Sequence, residues 1–218
     1  RPGHPIVNHY TYGIVSDGDL MEGISHEAAS LAGDWQLGKL IYVYDDNSIT
    51  LAGSTSITYT EDRAKRFEAY GWHVQIVNDG NDLYLIDKAL LAARAVSDRP
   101  SIIMVRTIIG FGAPHKQNTF EAHGSPLGPD EVQAAKENLG WPIDPPFYLP
   151  GEALEHFRGA IDRGKTDQAA WQKKFDAYQK EFPELAQEFS QATNSELPNG
   201  WTADLPVFPA DKPLATRA

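Results

Sequence analysis

The sequence predicts an α/β protein: a parallel sheet with helices on both faces, N-terminally incomplete, followed by a helical linker region. Three observations predict it. Apolar, β-branched segments alternate with segments of helical period through the first hundred residues. Each strand-like segment ends in a polar or glycine-rich stretch. A proline-rich break then gives way to a long, polar, helical segment. Strands alternating with helices require crossover connections, and crossovers make neighbouring strands parallel.

The elements follow in order. "YTYGIVSD" (10–17) is aromatic and β-branched and is expected to be a strand. "EGISHEAASLAG" (22–33) sets Ile24, Ala28, Leu31 and Ala32 at helical spacing, with Gly33 as the expected terminator. "KLIYVYDD" (39–46) is a second, nearly continuous apolar strand. "TEDRAKRFEAYG" (60–71) is a helix that opens on acids and closes on Gly71. "WHVQIVN" (72–78) is a third strand. "DLYLIDKALLAARAVS" (82–97) is a helix with Leu83, Ile86, Ala89, Leu90 and Ala93 on one stripe and Asp82 as its cap. "SIIMVRTII" (101–109) is a fourth strand.

An aperiodic stretch, "GFGAPHKQNTFEAHGSPLGPDE" (110–131), follows the fourth strand. Loops of that length in a compact domain are usually functional or disordered. A helix over 129–140 begins at Pro129. "WPIDPPFYLP" (141–150) must be extended and marks the expected boundary between a domain over 1–140 and a linker region over 141–218. Residues 151 to about 192 are expected to be helical, and the tail "ELPNGWTADLPVFPADKPLATRA" irregular. The abrupt opening "RPGHP" suggests that the sequence starts inside a domain.

Composition excludes several classes of function. Among 218 residues the formal charge is −11, and no basic cluster is present to hold a polyanion, so no nucleic-acid partner is expected. There is no cysteine, which excludes disulfides and thiolate metal sites. No apolar stretch approaches the roughly 18 residues of a membrane span, and "RPGHPIVNHY" lacks signal-peptide character. A soluble, cytoplasmic protein with no membrane partner is the expectation. "GFG" at 110–112 lacks the third glycine of a dinucleotide fingerprint. Trp35, Trp72 and Trp141 read as packing residues, and His4, His9, His26, His73 and His115 as histidines outside any site.

In parallel sheets, ligands bind outside the carboxyl ends of the strands. Asp17 and Asn47 lie 30 residues apart, one at the end of each of two successive strands. If those strands are neighbours, one carboxylate and one amide oxygen open into the same crevice. That hard, low-charge oxygen set suits Mg²⁺ or Ca²⁺ completed by a phosphate. Gly18 would let a phosphate oxygen approach its N–H. Taken singly, Asp17-Gly18 and Asp46-Asn47 are ordinary turn dipeptides.

"SDGDLMEGISHEAASLAG" followed by "DDNSI" resembles the thiamine-diphosphate fingerprint. "KLIYVYDDNSIT", "RFEAYGWHV", "TIIGFGAP" and "AHGSPLG" extend that resemblance to transketolases of the bacterial, plant and yeast type, nearly continuously over residues 1 to about 141. The resemblance implies the thiamine-diphosphate-binding fold, thiamine diphosphate with Mg²⁺ or Ca²⁺, and transfer of a two-carbon glycolaldehyde unit from a ketose phosphate to an aldose phosphate. It gives Asp17 and Asn47 the roles of side-chain ligands to the cation, and Ile49 that of a backbone ligand. Gly18 and Asn47 would touch the diphosphate, and Ile109 would lie against the cofactor rings. His123 would contact both diphosphate and substrate, and Glu22 would sit near the subunit contact. Ser16 departs from the family's first glycine. The resemblance further implies a homodimer through the cofactor region and a separate pyrimidine-binding domain that supplies a glutamate to the cofactor. That domain is not in these residues, so the 218-residue chain alone is expected to have negligible activity. A dihydroxyacetone synthase-like transferase, a non-catalytic cofactor-binding or assembly fragment, and a split subunit are the alternatives.

Overall fold

The four strand-like segments form one sheet in the computed structural model, which describes residues 1–208 and 213. In chain order the elements are β1 (Thr11–Ser16), α1 (Asp17–Met21), α2 (Gly23–Asp34), β2 (Leu40–Asp46), β3 (Ile49–Thr50), β4 (Gly53–Ser54), α3 (Arg63–Ala69), β5 (His73–Val77), α4 (Leu83–Ala95), β6 (Ser101–Arg106), α5 (Pro129–Asn138), α6 (Gly151–Glu181) and α7 (Pro183–Thr193). The sheet order is β1-β2-β6-β5, and every neighbouring pair is parallel. A separate two-stranded antiparallel ribbon, β3–β4, follows β2 directly.

Period-two alternation sorts the strand side chains between two cores. Ile102 and Met104 of β6 join Tyr44, Phe67, Trp72, Ala29 and Ala32, beneath α2 and α3. Ile103 and Val105 join Ile41, Val77, Ala89 and Ala93, beneath α4. The sheet thus carries helices on both faces, as the alternating pattern predicts. Tyr44, Ile41, Ile102 and Ile103 are fully buried, and each such side chain contributes about 1.5–3 kcal/mol relative to exposure.

Several local expectations are corrected. Asp17–Met21 is a separate short helix, set off from α2 at Glu22, whose backbone is extended. Gly33 does not end α2, which runs on to Asp34. A Cβ at Gly33 would stand 1.8 Å from the Tyr70 carbonyl oxygen, so the glycine is there for close helix packing. α2 buries Ala29 and Ala32 and leaves Ile24 and Leu31 exposed. α3 starts at Arg63, with Asp62 as its cap accepting from Lys65 N, so the acids precede the helix. Asp82 caps α4 through Leu85 N at 3.1 Å, but Leu83 is exposed and leaves the buried stripe. β6 ends at Arg106, so Ile109 lies in a turn beyond it. Of the tryptophans, Trp72 is buried and donates to Ala29 O at 2.8 Å, whereas Trp35 and Trp141 are exposed.

The chain divides into two units, one of residues 9–149 and one of residues 1–8 together with those from 150 onward. In the second unit the long helical segment breaks at Phe182-Pro183, because proline disfavours a helical conformation in the residue before it. Trp171, Phe175, Tyr178 and Phe182 form a run of ring contacts there. His4 meets Glu181 at 2.9 Å, and Trp171 donates to Ile6 O at 2.8 Å. Residues 194–208 form no helix or strand, and the rest of the tail expected to be irregular lies outside the described residues apart from Lys212's neighbour Pro213.

Candidate functional site

β1 and β2 are neighbours, with Ser16 opposite Asp45, so Asp17 and Asn47 leave the sheet at the same end of adjacent strands. Asp17 opens α1 and is 1% exposed. Its Oδ1 accepts a hydrogen bond from the Tyr44 hydroxyl, while its Oδ2 is buried and has no hydrogen-bond partner. A buried carboxylate oxygen without a donor is costly and rare in folded proteins. Asp19 is engaged locally: its Oδ2 accepts from Ser16 N at 2.8 Å and Ser16 Oγ at 2.9 Å. Gly18 is exposed, and a Cβ there would meet nothing within 4 Å, so no protein contact fills the space above it.

The turn after β2 is held from three sides. Thr107 donates to Asp45 Oδ1. Arg106 donates from Nη1 to Asp46 O at 3.2 Å and to Ser48 Oγ, and Arg63 Nη2 lies 3.4 Å from Asp46 Oδ1. Ser48 adopts a left-handed backbone with φ 60°, a conformation that costs a non-glycine residue energy and persists where neighbours enforce it. Asn47 is buried, and its Oδ1 accepts from Ile49 N at 2.8 Å, which leaves that oxygen a second lone pair. Ile49 begins β3, and α1 packs against both β2 and β3. The fold therefore brings Asp17, Gly18, Asn47 and Ile49 to one corner.

The loop after β6 carries the other two candidates. Ile109 is half-buried, and its carbonyl accepts from Asn118 N at 2.8 Å. His123 follows a 3-10 turn over Phe120–Ala122, its N–H bonded to Phe120 O at 2.9 Å. Its Nδ1 is buried with no hydrogen-bond partner. His123 lines a cleft with Lys116, Ser125 and Leu51, and Leu51 lies in the β3–β4 turn. Glu22 is exposed at the junction of α1 and α2.

Burial, and after it the neighbouring Asp46 and Asp45 carboxylates, hold the Asp17 carboxyl above the usual carboxylate range, against the lowering by Tyr44 and Arg63. Burial and the Asp17 carboxylate push the Tyr44 hydroxyl up, so it stays a proton donor. Among the described residues no three His, Cys, Asp or Glu side chains gather as a metal cluster. A cation here would rely on one carboxylate, neutral oxygens and oxygens brought by a ligand, the pattern of a Mg²⁺ or Ca²⁺ that binds with phosphate.

Sequence reasoning missed Tyr44, Thr107, Arg63 and Arg106. Strand alternation carried one usable signal, since it places Tyr44 on the sheet face toward α1. Thr107 and Arg106 reach the turn only because β6 stands beside β2, and Arg63 reaches it from the start of α3. His115, expected to lie outside any site, bonds the buried Glu131 at 2.8 Å.

The fold defines an α/β domain in which Asp17 and Asn47 stand at the carboxyl ends of neighbouring parallel strands, where such sheets bind their ligands. Residues 1–198 match the family described as the thiamine diphosphate binding domain of transketolase, and the chain belongs to the transketolase family. It is 48% identical to the transketolase of Geobacillus stearothermophilus over all of this chain and 33% of that protein. It is similar to the transketolase structure from Leishmania mexicana, with a TM-score of 0.86 and 40% identity over 96% of this chain and 31% of that one. A Pichia stipitis transketolase in complex with sedoheptulose-7-phosphate gives a TM-score of 0.86 and 39% identity over 100% and 32%. The chain spans about a third of the length of these relatives. All are named transketolase, which does not favour the dihydroxyacetone synthase alternative.

Proposed function

We propose that this chain is the diphosphate- and metal-anchoring part of a transketolase that moves a two-carbon glycolaldehyde unit from a ketose phosphate to an aldose phosphate. The observation that carries the reading is the buried, unpartnered Oδ2 of Asp17 at the joined ends of β1 and β2, beside Asn47. Asp17, Asn47 and the Ile49 carbonyl would hold Mg²⁺ or Ca²⁺. Gly18 N–H and Asn47 would face the diphosphate, and the open space at Gly18 leaves room for it. Bound thiamine diphosphate supplies a stabilised carbanion able to break and remake the C–C bond beside the ketose carbonyl.

The remaining roles belong to this chain's own side chains. Ile109 offers an apolar surface for the cofactor rings. His123 donates a hydrogen bond toward diphosphate or a sugar hydroxyl, and its orphaned Nδ1 supports a polar ligand there. Glu22 stands near the subunit contact of a homodimer, and the glutamate that ionises the cofactor comes from a pyrimidine-binding domain outside these residues. Residues 1–140 form the diphosphate-binding portion and 141–218 lead toward that second domain. Similarity to the complex with sedoheptulose-7-phosphate supports a sugar-phosphate substrate class. Cytoplasmic residence is part of the same reading.

The test is ketol transfer by the protein that carries this chain, given a ketose-phosphate donor and an aldose-phosphate acceptor. Metal- and thiamine-diphosphate-dependent formation of a product two carbons longer than the acceptor is expected. Its absence in a folded, cofactor-saturated protein would overturn the proposal in favour of a non-catalytic binding role.

A further inference from the structure

The loop between β6 and α5 is tied down by the helix that follows it. Glu131, in the first turn of α5, is 8% exposed. Its Oε1 accepts His115 N at 2.8 Å and Lys116 N at 3.1 Å, and its Oε2 meets His115 Nδ1 at 2.8 Å. At the far end of the same helix, Asn138 donates to Gly112 O at 2.9 Å. One carboxylate thus fixes two successive backbone N–H groups of a segment that has no ladder of its own. Charge-assisted bonds to a carboxylate are roughly twice as strong as neutral ones.

Fixing residue 116 fixes both sides of His123. Lys116 O accepts from Thr119 Oγ1 at 2.8 Å, just before the 3-10 turn that ends at His123. Lys116 Nζ donates to Leu127 O at 3.0 Å, after His123. Residues 116 and 127 are therefore joined across the base of the segment that presents the histidine to its cleft.

We propose that Glu131 is a positioning residue for His123, acting through residues 115 and 116 and the Lys116–Leu127 strut. The proposal rests on the reading of His123 as a contact to the diphosphate. Helix α5 is the reference frame, and Glu131 transmits its position to the loop.

A double-mutant cycle in the whole protein that carries this chain tests it, read by isothermal titration of thiamine diphosphate at saturating Mg²⁺. His123→Ala and Glu131→Gln are each expected to raise the Kd about tenfold, the scale of one lost charge-assisted bond. In the His123→Ala background, Glu131→Gln should add less than about a twofold change, because a positioning residue has nothing left to position. An equal loss from Glu131→Gln in both backgrounds, or no loss in the native one, overturns the proposal while leaving His123 in the site. A His123→Ala protein with native Kd overturns the reading of His123, and the proposal with it. If Glu131→Gln fails to fold, Lys116→Met takes its place in the cycle, with the same outcomes deciding.

Discussion

Replacing Tyr44 by Phe removes the hydroxyl that donates to the buried Asp17 carboxylate. Tyr44 is 0% exposed, and its ring packs in the core with Trp72 and Ile102, contacts that phenylalanine keeps. What is lost is the donor to Asp17 Oδ1. The Asp17 carboxylate, 1% exposed with Oδ2 already unpartnered, would then be without that donor as well. A buried hydrogen bond to a charged group contributes about 1.5–3 kcal/mol. A loss on that scale, about 1.5–3 kcal/mol, is expected at neutral pH. Urea unfolding measures it. The same substitution frees the Asp17 side chain to rotate, and removal of such a supporting partner weakens metal-dependent binding by about 10–100-fold. Titration of thiamine diphosphate with Mg²⁺ measures that. A Tyr44→Phe protein with native stability and native affinity would refute the claim that Tyr44 orients Asp17.

Arg106→Met removes the donors to Asp46 O and Ser48 Oγ. Since Arg106 is 45% exposed, we expect only about a two- to fivefold rise in cofactor Kd, and an unchanged Kd would show that the Ser48 turn holds without it. Burial, aided by Arg99, lowers the His73 imidazole below its ordinary 6.5. The folded state then binds fewer protons than the unfolded one below pH 6.5, so this share of stability is present above that pH and is lost as pH falls toward the folded value. His73→Asn should flatten the stability–pH slope just below 6.5, and an unaltered slope would contradict the assignment. Gly33→Ala puts a methyl group 1.8 Å from the Tyr70 carbonyl oxygen; a loss of about 1–3 kcal/mol or more is expected in thermal unfolding, and a native melting curve would show that α2 and α3 can separate without cost.

The strands and the principal helices were legible in the sequence because the inner strands β2 and β6 are written as nearly continuous apolar runs, and α4 carries its own cap in Asp82. The helix faces were less legible. Ile24, Leu31 and Leu83 fit a helical stripe by period, yet lie exposed, because period fixes which residues share a face and not which neighbour covers it. Gly33 was taken for a terminator, since close approach to Tyr70, 37 residues on, has no local signature. That Asp17 and Asn47 leave adjacent strands at the same end was legible once the strand ends are taken as a set. Thr107 and Arg106 were not, because their bonds depend on β6 standing beside β2, an order that skips α3, β5 and α4 in the chain, and Tyr44 was not, because its hydroxyl reaches Asp17 across the β1–β2 pairing. The β3–β4 ribbon escaped because two-residue strands carry no period.

In the proposed function, Asp17 and Asn47, at the joined ends of β1 and β2, hold a divalent cation that anchors the cofactor diphosphate. The affinity of the protein for thiamine diphosphate across a Mg²⁺ titration, native against Asp17→Ala, tests it most directly. Native affinity is expected to rise with Mg²⁺ and Asp17→Ala to lose this dependence; an Asp17→Ala protein whose affinity still rises with Mg²⁺ as the native one does would contradict that role.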